Sequence, residues 1–117
     1  VQDALINPFV LIDNIEGTTT FHNSGRMVIT PDRKLLLTTG DRSNQSTPQD
    51  INSLNGKILR LNLDGTVPAD NPIPGNYIYS IGIRHAQGLV YSPDKSILYS
   101  SEHGAGTDDE INIVERN

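Results

Sequence analysis

A ten-residue pattern occurs twice in this chain. Met27-Val28-Ile29-Thr30-Pro31-Asp32-Arg33-Lys34-Leu35-Leu36 aligns without a gap on Leu89-Val90-Tyr91-Ser92-Pro93-Asp94-Lys95-Ser96-Ile97-Leu98, at an offset of 93 − 31 = 62 residues. Each copy reads as an apolar strand, a Pro-Asp turn and a second strand. Pro presets the turn's backbone angle, and Asp hydrogen-bonds the local main chain. Two more strand candidates, 57–62 and 77–81, lie between the copies. Four strands per repeat is the content of a β-propeller blade. Short propeller families repeat every roughly 40–50 residues, and two polar loops account for the excess here. Two unrelated hairpins that share a turn form the competing reading.

The rest of the chain agrees with an all-β fold. Strand candidates also fall at 9–12, 26–30, 35–39, 88–91, 97–101 and 111–114, in a chain where short apolar runs bounded by Gly, Pro, Asp and Asn recur. No stretch keeps apolar residues at helical spacing, although the polar loop 42–53 admits one helical turn near 48–51. The alternation in 57–62 predicts a half-buried strand. Hydrophobic residues are 35% of the chain, with 10 Gly and 7 Pro, which favours turns and thin strands over a helical bundle. The expected organisation within 1–117 is a partial propeller domain of about two blades. It would hold one complete four-stranded blade at about 27–82 and parts of its two neighbours. Propellers close with roughly 4–8 blades, and an open pair leaves strand edges unpaired, so a segment of a larger protein is expected. The end at Glu115-Arg116-Asn117, straight after a strand, fits that expectation.

Charge and composition exclude several classes. Lys plus Arg is 9 and Asp plus Glu 14, so the net charge is 9 − 14 = −5, which argues against nucleic acid or an anionic membrane held by a basic surface. Without cysteine there is neither a disulfide framework nor a thiolate metal site. No apolar run approaches the roughly 18 residues of a membrane span, and the N-terminus lacks a basic-then-apolar leader pattern.

Four polar groupings sit where strands end. In Phe21-His22-Asn23-Ser24-Gly25-Arg26, His22 has the titration range of a general base, or is a surface or hydrogen-bonded loop histidine. In Gly82-Ile83-Arg84-His85-Ala86-Gln87-Gly88, Arg84 is suited to pairing with a carboxylate or with developing negative charge, or ties adjacent blades together. Ser101-Glu102-His103-Gly104-Ala105-Gly106-Thr107-Asp108-Asp109-Glu110 offers carbonyls and carboxylates to a hard cation, or is a solvated acidic turn. Gly40-Asp41-Arg42 with Asn55-Gly56-Lys57 has no clear chemistry by itself.

Taken in order, "HNSGRMVITPDRKLLLTTGD", "LNGKILRLNLDGTVPADNP", "YSIGIRHAQGL" and "SSEHGAGTDDEINIV" resemble the soluble quinoprotein glucose dehydrogenase and aldose sugar dehydrogenase family, the glucose/sorbosone dehydrogenases. The resemblance covers about nine-tenths of the chain. It implies a six-bladed propeller that binds pyrroloquinoline quinone (PQQ) and calcium, usually periplasmic or secreted, and oxidises an aldose sugar with an external electron acceptor. It places His22 on the catalytic histidine and Arg84 on the arginine that touches the quinone. His22, Arg84, His85 and His103 become cofactor-binding positions. The carbonyls of Gly104 and Ala105 fall on ligands of the cofactor-bound calcium, and Glu110 on a ligand of a second, structural calcium. Asp109 falls on the substrate-binding part of the active-site motif. "RHA" replaces the usual "RNP", so His85 stands where an asparagine contacts PQQ. The isolated chain is expected to turn over little or nothing. The alternative is a non-enzymatic propeller of the same family that binds carbohydrate or a protein partner.

Overall fold

The computed structural model describes residues 6–17 and 19–116; the terminal Asn117 of the expected chain end lies outside them. Seven strands form two antiparallel meanders. The first sheet runs in order β1 (Ser24–Ile29), β2 (Lys34–Thr39), β3 (Lys57–Asn62) and β4 (Ile78–Ile81). The second is β5 (Ala86–Ser92), β6 (Ile97–Glu102) and β7 (Glu110–Ile113). Both copies of the repeat form the same hairpin, closed at Pro31-Asp32 and at Pro93-Asp94. The expected helical turn is a 3-10 turn at Thr47–Gln49, with Pro48 in its first turn, where a missing N–H costs nothing.

One expected strand is absent. Residues 9–12 belong to no strand, and Phe9 and Val10 stand 76% and 69% exposed. A short apolar run reads alike whether it pairs along an edge or lies across a face. Here it lies across a face: Ile12 and Ile15 pack on Leu59, Leu61 and Ile78 on the outer side of the first sheet. The inner side meets the second sheet, where Leu36 and Ile58 join Ile83, Ala86, Leu89 and Leu98 in one core.

Covering both faces changes the expected character of β3. Its polar positions are buried as well as its apolar ones: Lys57 is fully enclosed and Arg60 is 7% exposed. Burying each of Ile58, Leu59 and Leu61 contributes about 1.5–3 kcal/mol, and the two cations between them need partners. Arg60 finds Asp32 at 2.7 Å, Asp70 at 2.9 Å and the Asn71 side-chain oxygen at 2.9 Å. These contacts staple the turn end of the sheets, where a hollow of about 630 Å³ lies against Arg60, Tyr79 and Tyr91. None of the expected site residues lines it.

Lys57 lies at the other end, its Nζ donating to the carbonyls of Thr47 and, at 2.8 Å, of Asn55. Burial pushes its pKa from 10.5 down to about 8, against the opposing pull of Asp50. Between those two values the unfolded chain holds more protons than the folded one, so stability should rise with pH across that window. In denaturant titrations of the protein carrying this chain, wild type should gain about 2–3 kcal/mol over Lys57→Met between pH 8 and 10.5. A difference that stays flat there would refute the buried ammonium.

Candidate active site

The starts of β1 and β5 and the ends of β2 and β6 meet at one end of the sheets. Two side-chain contacts bind β1 and β2 to β5 there. Thr38 Oγ1 donates to the Ala86 carbonyl at 3.0 Å, and Arg26 Nε donates to the Gln87 carbonyl at 2.9 Å. The loop after β2 is stitched to the β4–β5 connection: the Asp41 N–H donates to the Arg84 carbonyl at 2.9 Å, and the Ile83 N–H to the Gly56 carbonyl at 3.0 Å. These bonds carry residues from four separate motifs to one place.

All three histidines of the chain stand there in a row. The rings of His22 and His85 are stacked with centroids 5.3 Å apart, and those of His85 and His103 with centroids 5.5 Å apart. His22 Nδ1 lies 2.8 Å from Asp41 Oδ1; the aspartate side chain is 4% exposed and the imidazole 23%. Asp41 Oδ1 also accepts the Ser43 N–H at 2.8 Å, which fixes the carboxylate from the other side. A buried carboxylate accepting from Nδ1 assigns the ring proton to that nitrogen and leaves Nε2 with its lone pair, the arrangement of an oriented general base. His22 itself takes a positive φ of 53°.

Arg84 shares this end. Its Nη1 donates to the His103 carbonyl at 3.1 Å, and its backbone N–H to Glu102 Oε2 at 3.1 Å. Burial, then the charges of His22, His103 and Arg84, hold His85 below the usual imidazole range, with Asp41 opposing. Glu102 is pushed up by burial and by Glu110, its cross-strand partner on β7. The same end opens a hollow of about 340 Å³ beside Gln87, Glu102, His103, Asp109 and Glu110.

The loop after β6 folds tightly around Gly104. Its N–H donates to Asp109 Oδ1 at 3.1 Å, and its carbonyl accepts from Gly106 at 3.1 Å. A Cβ on Gly104 would meet the carbonyl oxygens of Thr107 and Asp108 at 2.0 and 2.5 Å. The donors gathered here are oxygens, the set a hard dication takes, and they are mainly backbone. Among the described residues no cluster of three or more His, Cys, Asp or Glu side chains could hold a metal, so carbonyls are the ligands this loop adds to any single carboxylate. The site as a whole offers a guanidinium, a stacked row of imidazoles and carbonyl oxygens, a set suited to a planar organic anion and a hard cation.

The structure thus gathers His22, Arg84, His85 and His103 at one end, with Gly104, Ala105, Asp109 and Glu110 in the adjoining loop and at the start of β7. Sequence reasoning passed over Asp41, which stood in the grouping without evident chemistry, 19 residues from its histidine. It also passed over Ser24 and Gln87, whose side chains reach His85 at 3.2 Å each.

Comparison with known proteins places this end in context. The glucose/sorbosone dehydrogenase family model matches residues 2–117. Quinoprotein glucose dehydrogenase B of Acinetobacter calcoaceticus is 37% identical over 96% of this chain and 28% of its own length. Aldose sugar dehydrogenase of Escherichia coli is 36% identical over 85% of this chain and 28% of its own. The PQQ-bound aldose sugar dehydrogenase of Streptomyces coelicolor superposes with a TM-score of 0.80 at 42% identity, over 84% of this chain and 29% of that one. A glucose dehydrogenase structure superposes at 0.89 and 30% identity, over 96% of this chain and 34% of that one. The two sheets are therefore neighbouring parts of a β-propeller, and the chain spans under a third of the curated relatives it matches.

Proposed function

The chain belongs to the glucose/sorbosone dehydrogenase family, and on that basis we propose that it forms part of a PQQ-dependent dehydrogenase oxidising the C1 hydroxyl of an aldose to the lactone. The observation that carries the reading is the His22–Asp41 pair at 2.8 Å, stacked beside His85 on the segment that holds Arg84. PQQ, when bound, supplies the sink for the two electrons that leave C1 as hydride. The remaining work falls to side chains of this chain. His22 Nε2 takes the hydroxyl proton as the C1–O bond becomes a carbonyl, and Asp41 stabilises the imidazolium that results. Arg84 provides fixed positive charge for the anionic cofactor, and His85 and His103 supply flanking contacts. The carbonyls of Gly104 and Ala105 would hold the calcium, Glu110 would serve a second one, and Asp109 would face the sugar.

On this reading the first sheet is one complete blade, about 27–82, flanked by parts of its neighbours. The activity is that of a longer protein with further blades, and the 117-residue chain alone should turn over little or nothing. We place the enzyme in the periplasm or outside the cell, passing electrons to an external acceptor; neither nucleic acid nor a membrane span enters the mechanism. Among the described residues no helix is long and apolar enough to cross a membrane.

Reconstitution tests the proposal. The full-length protein, mixed with PQQ and calcium, should reduce an artificial dye when glucose or another aldose is added. The absence of both dye reduction and a quinone absorbance change on mixing would favour a carbohydrate- or protein-binding propeller instead.

A further inference from the structure

We propose that Gln87 is a positioning residue: its side-chain amide joins His85 to His103 and fixes how the histidine row stands beside His22. The inference rests on the reading of His22 as the base. It begins with the register of β5 and β6, where Ala86 pairs with Glu102 and Gly88 with Ser101. Gln87 is left without a cross-strand partner. Such a bulge re-aims the extra side chain, and here it is aimed along the row. Gln87 Nε2 lies 3.2 Å from His85 Nε2, and Gln87 Oε1 lies 2.9 Å from His103 Nε2. Arg26 Nε holds the Gln87 carbonyl at 2.9 Å, so the bulge is tied to β1 as well.

The chemistry of an amide decides the proton pattern. Its nitrogen only donates, so His85 Nε2 must accept and be bare. Its oxygen only accepts, so His103 Nε2 must carry a proton. His85 then carries its proton on Nδ1 and donates it to Ser24 Oγ at 3.2 Å. A neutral His85 matters because its ring is stacked on His22, where positive charge appears when the hydroxyl proton arrives. The groups facing His85 are His22 and Asp41 on one side and His103 on the other, with Arg84 and Glu102 beside it. Gln87 is the one whose side-chain N–H engages the outer nitrogen of that ring.

The test uses the full-length protein with two variants of this exposed residue. In the apo form, long-range proton–nitrogen spectra should show His85 protonated on Nδ1 and bare on Nε2, its signals assigned by their loss in His85→Asn. Gln87→Leu should abolish that fixed pattern. Gln87→Glu turns the donor into a carboxylate that draws a proton onto His85 Nε2. Because turnover requires a neutral His85, the acid limb of the kcat profile set by protonation of His85 should then move up by about one pH unit, or about tenfold lower turnover at a given pH on that limb. An Nε2-protonated His85 in wild type, a pattern unchanged in Gln87→Leu, or an unmoved acid limb in Gln87→Glu would each overturn the role of Gln87. Failure of wild type to oxidise any aldose ends the dehydrogenase reading instead, and the nitrogen pattern still decides the role of Gln87.

Discussion

Turnover should fall by about 10²–10⁴-fold when His22 is replaced by alanine in the full-length protein reconstituted with PQQ and calcium, the range for removing a positioned general base. PQQ affinity should stay within a few-fold, because the contacts proposed for Arg84 and for the carbonyls at 104–105 would be untouched. Asp41→Asn should approach the same loss, up to about 10⁴-fold, by a different route. An asparagine amide at this position can donate to Nδ1, which moves the ring proton to Nε2 and leaves that nitrogen no lone pair with which to accept a proton. The two effects describe one device, so they should not add. The double variant His22→Ala with Asp41→Asn should be no slower than His22→Ala alone. Single-turnover dye reduction, with PQQ binding followed by absorbance, separates rate from affinity. Loss of binding with an intact rate per bound cofactor, or fully multiplicative rate losses, would remove His22 and Asp41 from their assigned roles.

What could be read in advance follows from what kind of signal each feature leaves. Strands such as 35–39, 57–62 and 97–101 are announced by apolar or alternating runs between turn residues, and the structure has strands there to within a residue. The Pro-Asp repeat likewise announces two equivalent hairpins. Burial of Lys57 and Arg60 was hidden, since alternation shows which residues share a face but not whether that face is covered. The site divides in the same way. Resemblance pointed to His22 and Arg84, and the fold brings their segments together through the Asp41 N–H bond to the Arg84 carbonyl. Asp41 could not be chosen as the partner of His22, because a carboxylate next to a glycine in a turn looks like many others. Gln87 was hidden for another reason: its aim depends on a break in register, and a period of two carries no trace of a bulge.

Gly40→Ala should be the most damaging small substitution near the site. Gly40 sits between the end of β2 and Asp41, without a left-handed φ, so conformational freedom is not its purpose. Its purpose is space. A Cβ there would lie 1.6 Å from the His22 carbonyl oxygen and 2.4 Å from the His22 carbonyl carbon. Both are backbone atoms, so no rotamer change relieves the clash. The segment that must move is pinned: the Gly40 N–H donates to the Asn23 carbonyl and the Arg42 N–H to the His22 carbonyl, each at 3.3 Å. Overpacking of this kind costs about 1–3 kcal/mol, and more where the backbone cannot yield. A shift of the His22 backbone to accommodate the methyl group would displace the ring relative to Asp41, and a misplacement of about 1 Å costs about 10²-fold in rate. A lowered Tm together with a kcat loss at saturating PQQ is the expected result. Wild-type turnover in Gly40→Ala would mean that the close approach of the His22 backbone to β2 does not set the position of the base.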